Sequence, residues 1–172
     1  TKPGVQINTP NPKTGGVPRG IYLSAWGYAL KQPGGNDIKA REFVSKMYHN
    51  VKVMDPAARA SMTTFAERGI GDVLLTWENE AMISKKTLGD KFDIVYPSMS
   101  ILTEPSVAIV DKTVEKNGNK WLATGYINYL YSPLGQDMAA RHFYRPRNPQ
   151  ILAKYSKQFP ALKTFTIDEV CG

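Results

Sequence analysis

Apolar positions along this chain keep switching between an alternating rhythm and a helical one, which predicts strands that feed helices. Residues 5–8 alternate as a short strand does, and the Pro10-Asn11-Pro12-Lys13-Thr14-Gly15-Gly16 run then breaks the ladder. Tyr22, Leu23, Trp26, Ala29 and Leu30 fall at helical spacing, predicting a helix from near Pro18 to the Pro33-Gly34-Gly35 stop. Ile38, Phe43, Val44, Met47 and Tyr48 predict a second helix, capped by Asn36 or Asp37 and ending near His49-Asn50. Residues 51–54 read as a strand, and Asp55-Pro56 as the start of a helix over 57–68 that Gly69 closes. Val73, Leu74 and Leu75 read as a central strand, with Trp77 and Glu78 where it meets a helix running through Glu80 to Lys86. A further strand is expected over 92–96. Such alternation predicts a layered α/β domain, in which ligands bind at the carboxyl edge of the sheet.

After Pro97 the pattern changes. Residues 98–105 form a long extended segment that runs into an expected strand over 106–110, a crossover between two bodies. Residues 112–120 are polar and turn-rich. Trp121, Leu122, Tyr126, Ile127, Tyr129 and Leu130 then mark a helix that ends at Ser132-Pro133. Helices over 134–144 and 148–159 and a last strand over 164–167 complete the reading. The aromatic set Trp121, Tyr126, Tyr129, Tyr131, Phe143 and Tyr144 could stack on bases, but its helical spacing reads as core packing.

Composition narrows the chemistry. Twenty-two Lys and Arg against fifteen Asp and Glu give +7, which favours anionic partners without choosing among nucleic acid, membrane and small oxyanions. With Cys171 as the sole cysteine and His49 and His142 as the only histidines, neither a disulfide within the chain nor a Cys/His metal cluster can form, so no metal or cofactor is expected. No apolar run approaches the ~20 residues that span a bilayer. The opening Thr1-Lys2-Pro3-Gly4 lacks the charged and apolar regions of a signal peptide.

The Thr14-Gly15-Gly16-Val17 turn into a helix could cradle an oxyanion, because missing side chains let amides approach it and the helix dipole adds roughly +0.5 of a charge. Taken singly, the same turn is simply tight. It matches neither the P-loop nor the dinucleotide fingerprint. Ala57-Ala58-Arg59 opens a second helix after a second strand, so its amides face the same edge, although Ala58 alone is a neutral helix start and Arg59 a surface charge. Trp77 offers one indole N–H and no acceptor, or plain core packing. Glu78 and Glu80 diverge on either a strand or a helix, which argues against a catalytic pair, and no Ser or Cys has an evident histidine partner.

Several longer stretches together resemble one family. Asn11-Pro12-Lys13-Thr14, residues 22–30, residues 65–74, Trp77-Glu78-Asn79-Glu80-Ala81, residues 100–105, residues 131–136, Phe143-Tyr144-Arg145-Pro146 and residues 165–170 are similar, in that order, to the periplasmic sulfate-binding proteins of bacterial sulfate/thiosulfate ABC importers. The resemblance covers essentially the whole chain. It implies an α/β fold of the type II periplasmic-binding-protein kind, a two-lobed clamshell with sulfate between the lobes. It assigns residues 1–98 to the second lobe, 99–110 to a hinge strand, and 111–172 to a mostly helical C-terminal part of the first lobe, whose N-terminal half is absent.

The family holds sulfate with backbone amides at helix starts, hydroxyls and an indole, with no cation in direct contact. Carried over, the amides are those of Gly16, Val17 and Ala58 around the Gly15 turn, the indole is that of Trp77, and Thr14, Arg19 and Arg59 are secondary candidates. One departure stands out: Gly15-Gly16-Val17 occupies the place of the family's Ser-Gly-Gly, so the serine hydroxyl is lost unless Thr14 supplies it. The implied partners are sulfate or thiosulfate, a membrane permease and the missing half of the same protein, in the periplasm, with no catalysis and no nucleic acid. The alternatives are an oxyanion-handling enzyme on the same scaffold and a basic nucleic-acid-binding fragment.

Overall fold

The computed structural model describes residues 2–171. Strand β1, Ile7–Pro10, is buried along its whole length, and helices α1, Gly16–Leu30, and α2, Asp37–His49, lead from it to β2, Val51–Asp55. Helix α3, Ala58–Met62, continues into a π-helical turn over Thr63–Glu67 and leads to β3, Val73–Leu74, and then α4, Glu78–Leu88. Strand β4 is Ser100–Ile101. Helices α5, Asp111–Lys116, α6, Lys120–Tyr131, α7, Pro133–Arg141, and α8, Pro149–Lys154, precede β5, Thr164–Phe165, and α9, Asp168–Cys171. The mixed, parallel α/β class matches the expectation.

One parallel sheet has the order β2-β1-β3. Strand β1, rather than the expected β3, is therefore central, and Val73 on the edge strand is 40% exposed. Pairing runs Ile7↔Val51, Asn8↔Val53 and Pro10↔Asp55, with an irregularity that skips Lys52. Pro10 is tolerated in a central strand for a geometric reason. Ile7 and Asn11 donate towards the β2 side, to Asn50 and Asp55 at 2.8 Å each, so alternation turns the Pro10 nitrogen towards β3, whose pairing has ended at Leu74. On the β3 side the Asn8 side-chain Nδ2 donates to the Ile70 carbonyl. Gly71 has φ +90°, and a Cβ there would lie 2.6 Å from Asn8 Oδ1, so this clasp requires glycine.

Helix α1 starts two residues earlier than expected, leaving Pro18 inside its first turn. Ala40, Val44 and Met47 form the buried stripe of α2, whose Asn36 side chain accepts from the Lys39 amide at 3.0 Å. The α1–α2 seam is aromatic: Tyr22 lies 5.9 Å from Tyr48, and Tyr28 5.6 Å from Phe43, between ring centroids. On another face of α1, Gly27 lets Phe165 and Val170 approach, since a Cβ would sit 2.4 Å from the Phe165 ring.

Three further expectations fail. Residues 92–96 form no strand, because Lys85 holds that loop, donating to the Phe92 carbonyl at 3.0 Å and pairing with Asp90 and Asp93. Residues 106–110 form none either. The strand lies earlier, where β4 pairs with β5 (Ser100↔Thr164, Ile101↔Phe165) and Ser24 of α1 accepts from the Ile101 amide at 3.4 Å. Residues 112–116, within the stretch 112–120 expected to be turn-rich, are helical in α5, with Val114 buried.

By internal contacts the chain divides into two bodies: one runs to Thr103 and resumes at Leu162, the other is Glu104–Ala161. The chain from Leu162 onward thus packs with the first hundred residues, whereas the sequence reading groups it with 111–161.

Candidate anion-binding site

All three strands of the β1 sheet are parallel and each feeds a helix, so the starts of α1, α3 and α4 gather at one carboxyl edge. Unpaired first-turn amides and the positive end of each dipole meet there. The loop from β1 to α1 is built by its own polar groups: Asn11 Oδ1 accepts from the Lys13 amide at 2.9 Å, and the Asn11 carbonyl accepts from the Thr14 amide at 3.1 Å. It is also tied across to β2, since Asn11 N–H donates to the Asp55 carbonyl at 2.8 Å.

Thr14 closes that tie. Its hydroxyl lies 2.8 Å from the Asn11 carbonyl and 2.7 Å from that of Pro56, which precedes α3. A hydroxyl has one proton, and both neighbours are acceptors. In this arrangement Thr14 braces the α1 loop against the α3 loop and has no proton left for an anion.

Gly15 is the N-cap of α1, in extended backbone with φ 179° and ψ 173°, and no side chain caps the helix. A Cβ on Gly15 would meet only Pro18 Cδ at 3.7 Å, and one on Gly16 nothing within 4 Å. The space above this turn is open. Pro18 has no N–H, so α1 presents the Gly16 and Val17 amides as its donors, while the Arg19 amide returns to the Gly15 carbonyl at 3.4 Å. Arg19 itself is exposed. At α3 the N-cap is Ala57, and Ala58 is the first helical amide.

Trp77 is the N-cap of α4, half-buried, and reaches across to α1. Its indole N–H donates to the Val17 carbonyl at 3.2 Å, and its ring edge lies 3.8 Å from where a Cβ on Gly20 would stand. The structure therefore brings Gly15, Gly16, Val17 and Trp77 together at the start of α1. Arg59 is turned to Glu80, with Nη2 3.1 Å from Oε1, so a salt bridge joins the starts of α3 and α4. Glu80, a candidate acid in sequence, is a framework ion-pair partner here.

The sequence reading missed a polar floor beneath the helix starts. Thr9 and Ser61 are fully buried, and their hydroxyls make no hydrogen bond among the described residues, nor do Asp55 Oδ2, Thr76 Oγ1 and Glu80 Oε2. The other Asp55 oxygen accepts from Thr64 at 3.2 Å. The available signal was Asn8-Thr9 inside a strand that is otherwise apolar, since buried polar groups without partners are uncommon. A surface cleft of about 270 Å³ lies elsewhere, between Lys31, Met99 and Phe165. It sits at the far end of α1, roughly 20 Å along the helix from Gly16. Among the described residues no cluster of His, Cys, Asp and Glu could hold a metal ion, and no helix is long and apolar enough to cross a membrane.

Comparison with known proteins gives this edge its context. The profile of the bacterial extracellular solute-binding proteins matches residues 1–145. The sulfate-binding protein of Escherichia coli is 56% identical over 172 residues, covering 99% of this chain and 52% of the relative. The thiosulfate-binding protein of Pseudomonas aeruginosa is 51% identical, with 99% and 52% covered. The solved structure of the sulfate-binding protein SubI from Mycobacterium tuberculosis superposes with a TM-score of 0.78 at 24% identity, covering 99% of this chain and 58% of SubI, a likeness of fold. This chain thus spans about half the length of the curated relatives it matches. With most of its residues matched by the family profile, the chain belongs to the bacterial extracellular solute-binding protein family.

Proposed function

We propose that this chain is the anion-holding portion of a solute-binding protein that captures sulfate or thiosulfate in the periplasm and delivers it to the permease of an ABC importer. The observation that carries this reading is the convergence of three helix starts at one sheet edge, with the Gly16, Val17 and Ala58 amides and the Trp77 indole as donors. It is supported by relatives named for binding sulfate and thiosulfate. Binding, not catalysis, is the activity, and Glu80 is already committed to Arg59. Residues 1–98 serve as the second lobe, 99–110 as the crossover, and 111–161 as the returning part of the first lobe, with the chain from Leu162 packed on the second. The remaining half of the protein closes the cleft.

Anion entry exchanges one acceptor for another. The Trp77 indole leaves the Val17 carbonyl and donates to an anion oxygen, while the amides, already aimed by the helices, do not move. Donors alone select a fully deprotonated dianion. The amides and the indole offer a protonated phosphate no acceptor, which leaves its OH to compete for the Val17 carbonyl that the indole vacates; an OH left unpaired costs about 1–3 kcal/mol, or roughly one to two decades of affinity.

Amide chemical shifts and calorimetry test the reading. Sulfate and thiosulfate, but not phosphate, are expected to shift the Gly16, Val17 and Ala58 amides. Binding by this chain alone is expected to be weaker than about 1 μM, because a one-sided site leaves the dianion competing with water. Trp77→Phe should weaken it by roughly ten- to a hundredfold. Sulfate shifts confined to other residues would overturn the site, and tight binding would overturn the need for a second half.

A further inference from the structure

The start of α1 lacks a part that helix starts ordinarily carry. An N-cap side chain folds over the second and third helical amides, which is where an anion seated on those amides also lies. Gly15 puts nothing there: a Cβ on it would meet only Pro18 Cδ at 3.7 Å, and one on Gly16 would meet nothing within 4 Å. The adjoining hydroxyl does not substitute. Thr14 Oγ1 lies 2.8 Å and 2.7 Å from the Asn11 and Pro56 carbonyls, so its proton is spent between the two loops. Arg19 is exposed, and Arg59 is held by Glu80 at 3.1 Å. An anion on the Gly16, Val17 and Ala58 amides and the Trp77 indole thus keeps one corner, over Gly15, that meets open space and no side-chain donor from α1.

Tetrahedral anions differ in what they lose at such a corner. Every oxygen of sulfate is a strong acceptor, so the one placed there forgoes a charge-assisted hydrogen bond, which lowers affinity about tenfold or more. The terminal sulfur of thiosulfate is larger and accepts hydrogen bonds weakly, so it loses little at a corner without a donor and needs the room that a bare turn leaves. We propose that Gly15 makes the site selective for thiosulfate over sulfate, with three oxygens on the amides and the indole and the sulfur over the turn. The proposal rests on the anion site proposed above and adds which anion that site prefers and the residue that decides it.

Amide chemical-shift titrations of the chain with thiosulfate, sulfate and selenate test it, because selenate is larger than sulfate yet keeps four strongly accepting oxygens. Thiosulfate is expected to bind at least about tenfold tighter than sulfate, with selenate close to sulfate. Gly15→Ser fills the corner and adds a donor, so the ratio of thiosulfate to sulfate affinity should fall at least about tenfold. Gly15→Ala fills it without a donor and should weaken thiosulfate with no gain for sulfate. Neither substitution strains residue 15, whose backbone is extended. Equal affinities for the two anions, selenate bound as tightly as thiosulfate, or a ratio that neither substitution moves overturns the role of Gly15, while shifts at Gly16, Val17 and Ala58 still uphold the site. If none of the three anions shifts those amides, the site itself falls and the proposal with it.

Discussion

Gly15→Ser separates the two roles that the start of α1 can play. Gly15 is an uncapped N-cap in extended backbone that any residue adopts, and a Cβ there makes an ordinary contact with Pro18 Cδ at 3.7 Å. Serine therefore fits without strain. A cap side chain accepts from the second or third helical amide, but the third residue is Pro18, so only Val17 N–H is available. Replacing glycine by serine at a cap gains a few tenths of a kcal/mol, and the stiffer unfolded chain adds about 0.4–1 kcal/mol. Summed, the stabilisation is about 0.5–1.5 kcal/mol, which raises Tm by roughly 1–6 °C in a domain of this size. The effect on binding is larger. With sulfate bound, the hydroxyl donates to the anion and releases the Val17 N–H to it, so the few tenths of a kcal/mol of the cap are given up; a hydrogen bond to a charged group is worth about 1.5–3 kcal/mol, so sulfate affinity should still rise roughly ten- to a hundredfold. Thermal unfolding without ligand and calorimetric titration with sulfate read the two effects apart. A higher Tm with unchanged sulfate affinity would refute the placement of the anion over this turn.

Three further outcomes follow from particular contacts. Thr14→Val removes the brace between the α1 and α3 loops and should weaken sulfate binding by roughly tenfold, whereas Thr14→Ser, which keeps the hydroxyl, should restore it; equal loss in both would show that the hydroxyl is not the operative group. Gly27→Ala places a methyl against the Phe165 ring and should cost about 1–3 kcal/mol in denaturant unfolding, since a packed interface relaxes only partly. Lys154, then Tyr155 and Arg141, hold the Asp137 carboxyl below its ordinary value of 3.8 by hydrogen bonding to its charged form. A depressed folded-state pKa contributes stability that is complete above 3.8 and lost as pH falls through the lower native value. The Tm gap between the wild type and Asp137→Asn should thus be constant near neutrality and shrink once the pH drops below about 4; a gap independent of pH down to 2 would contradict the network.

Local signals made much of this protein readable. The stripe Ala40, Val44, Met47 and the Asn36 cap place α2 where its periodicity predicts. Pro149 behind Asn148 starts α8, though that helix ends at Lys154 rather than near Phe159. Thr14, Gly15, Gly16, Val17, Ala58 and Trp77 lie at strand-to-helix junctions with recognisable turn chemistry, but it is the resemblance to sulfate-binding proteins that singles them out as the proposed site. The short helix α9 was not anticipated, and its hold on α1 through the Lys31–Glu169 pair at 2.7 Å joins residues far apart in the chain. The aromatics of α6, read as core from their spacing, are exposed. Periodicity says which face wants a partner, not whether the partner is in the same chain.

By itself the sequence determined most of the helices, though not α5 or α9, where three strands give way to helix starts, and that those starts offer donors rather than nucleophiles or metal ligands. These are local properties, set by backbone propensity, turn residues and composition. Strand order was decided in three dimensions, since β1 is central because of its neighbours and not because of its own residues. The same holds for the fate of single polar groups. Only the fold shows that the Thr14 hydroxyl is taken by Pro56, the Arg59 guanidinium by Glu80 and the Trp77 indole by Val17, because each partner arrives from a distant stretch of chain.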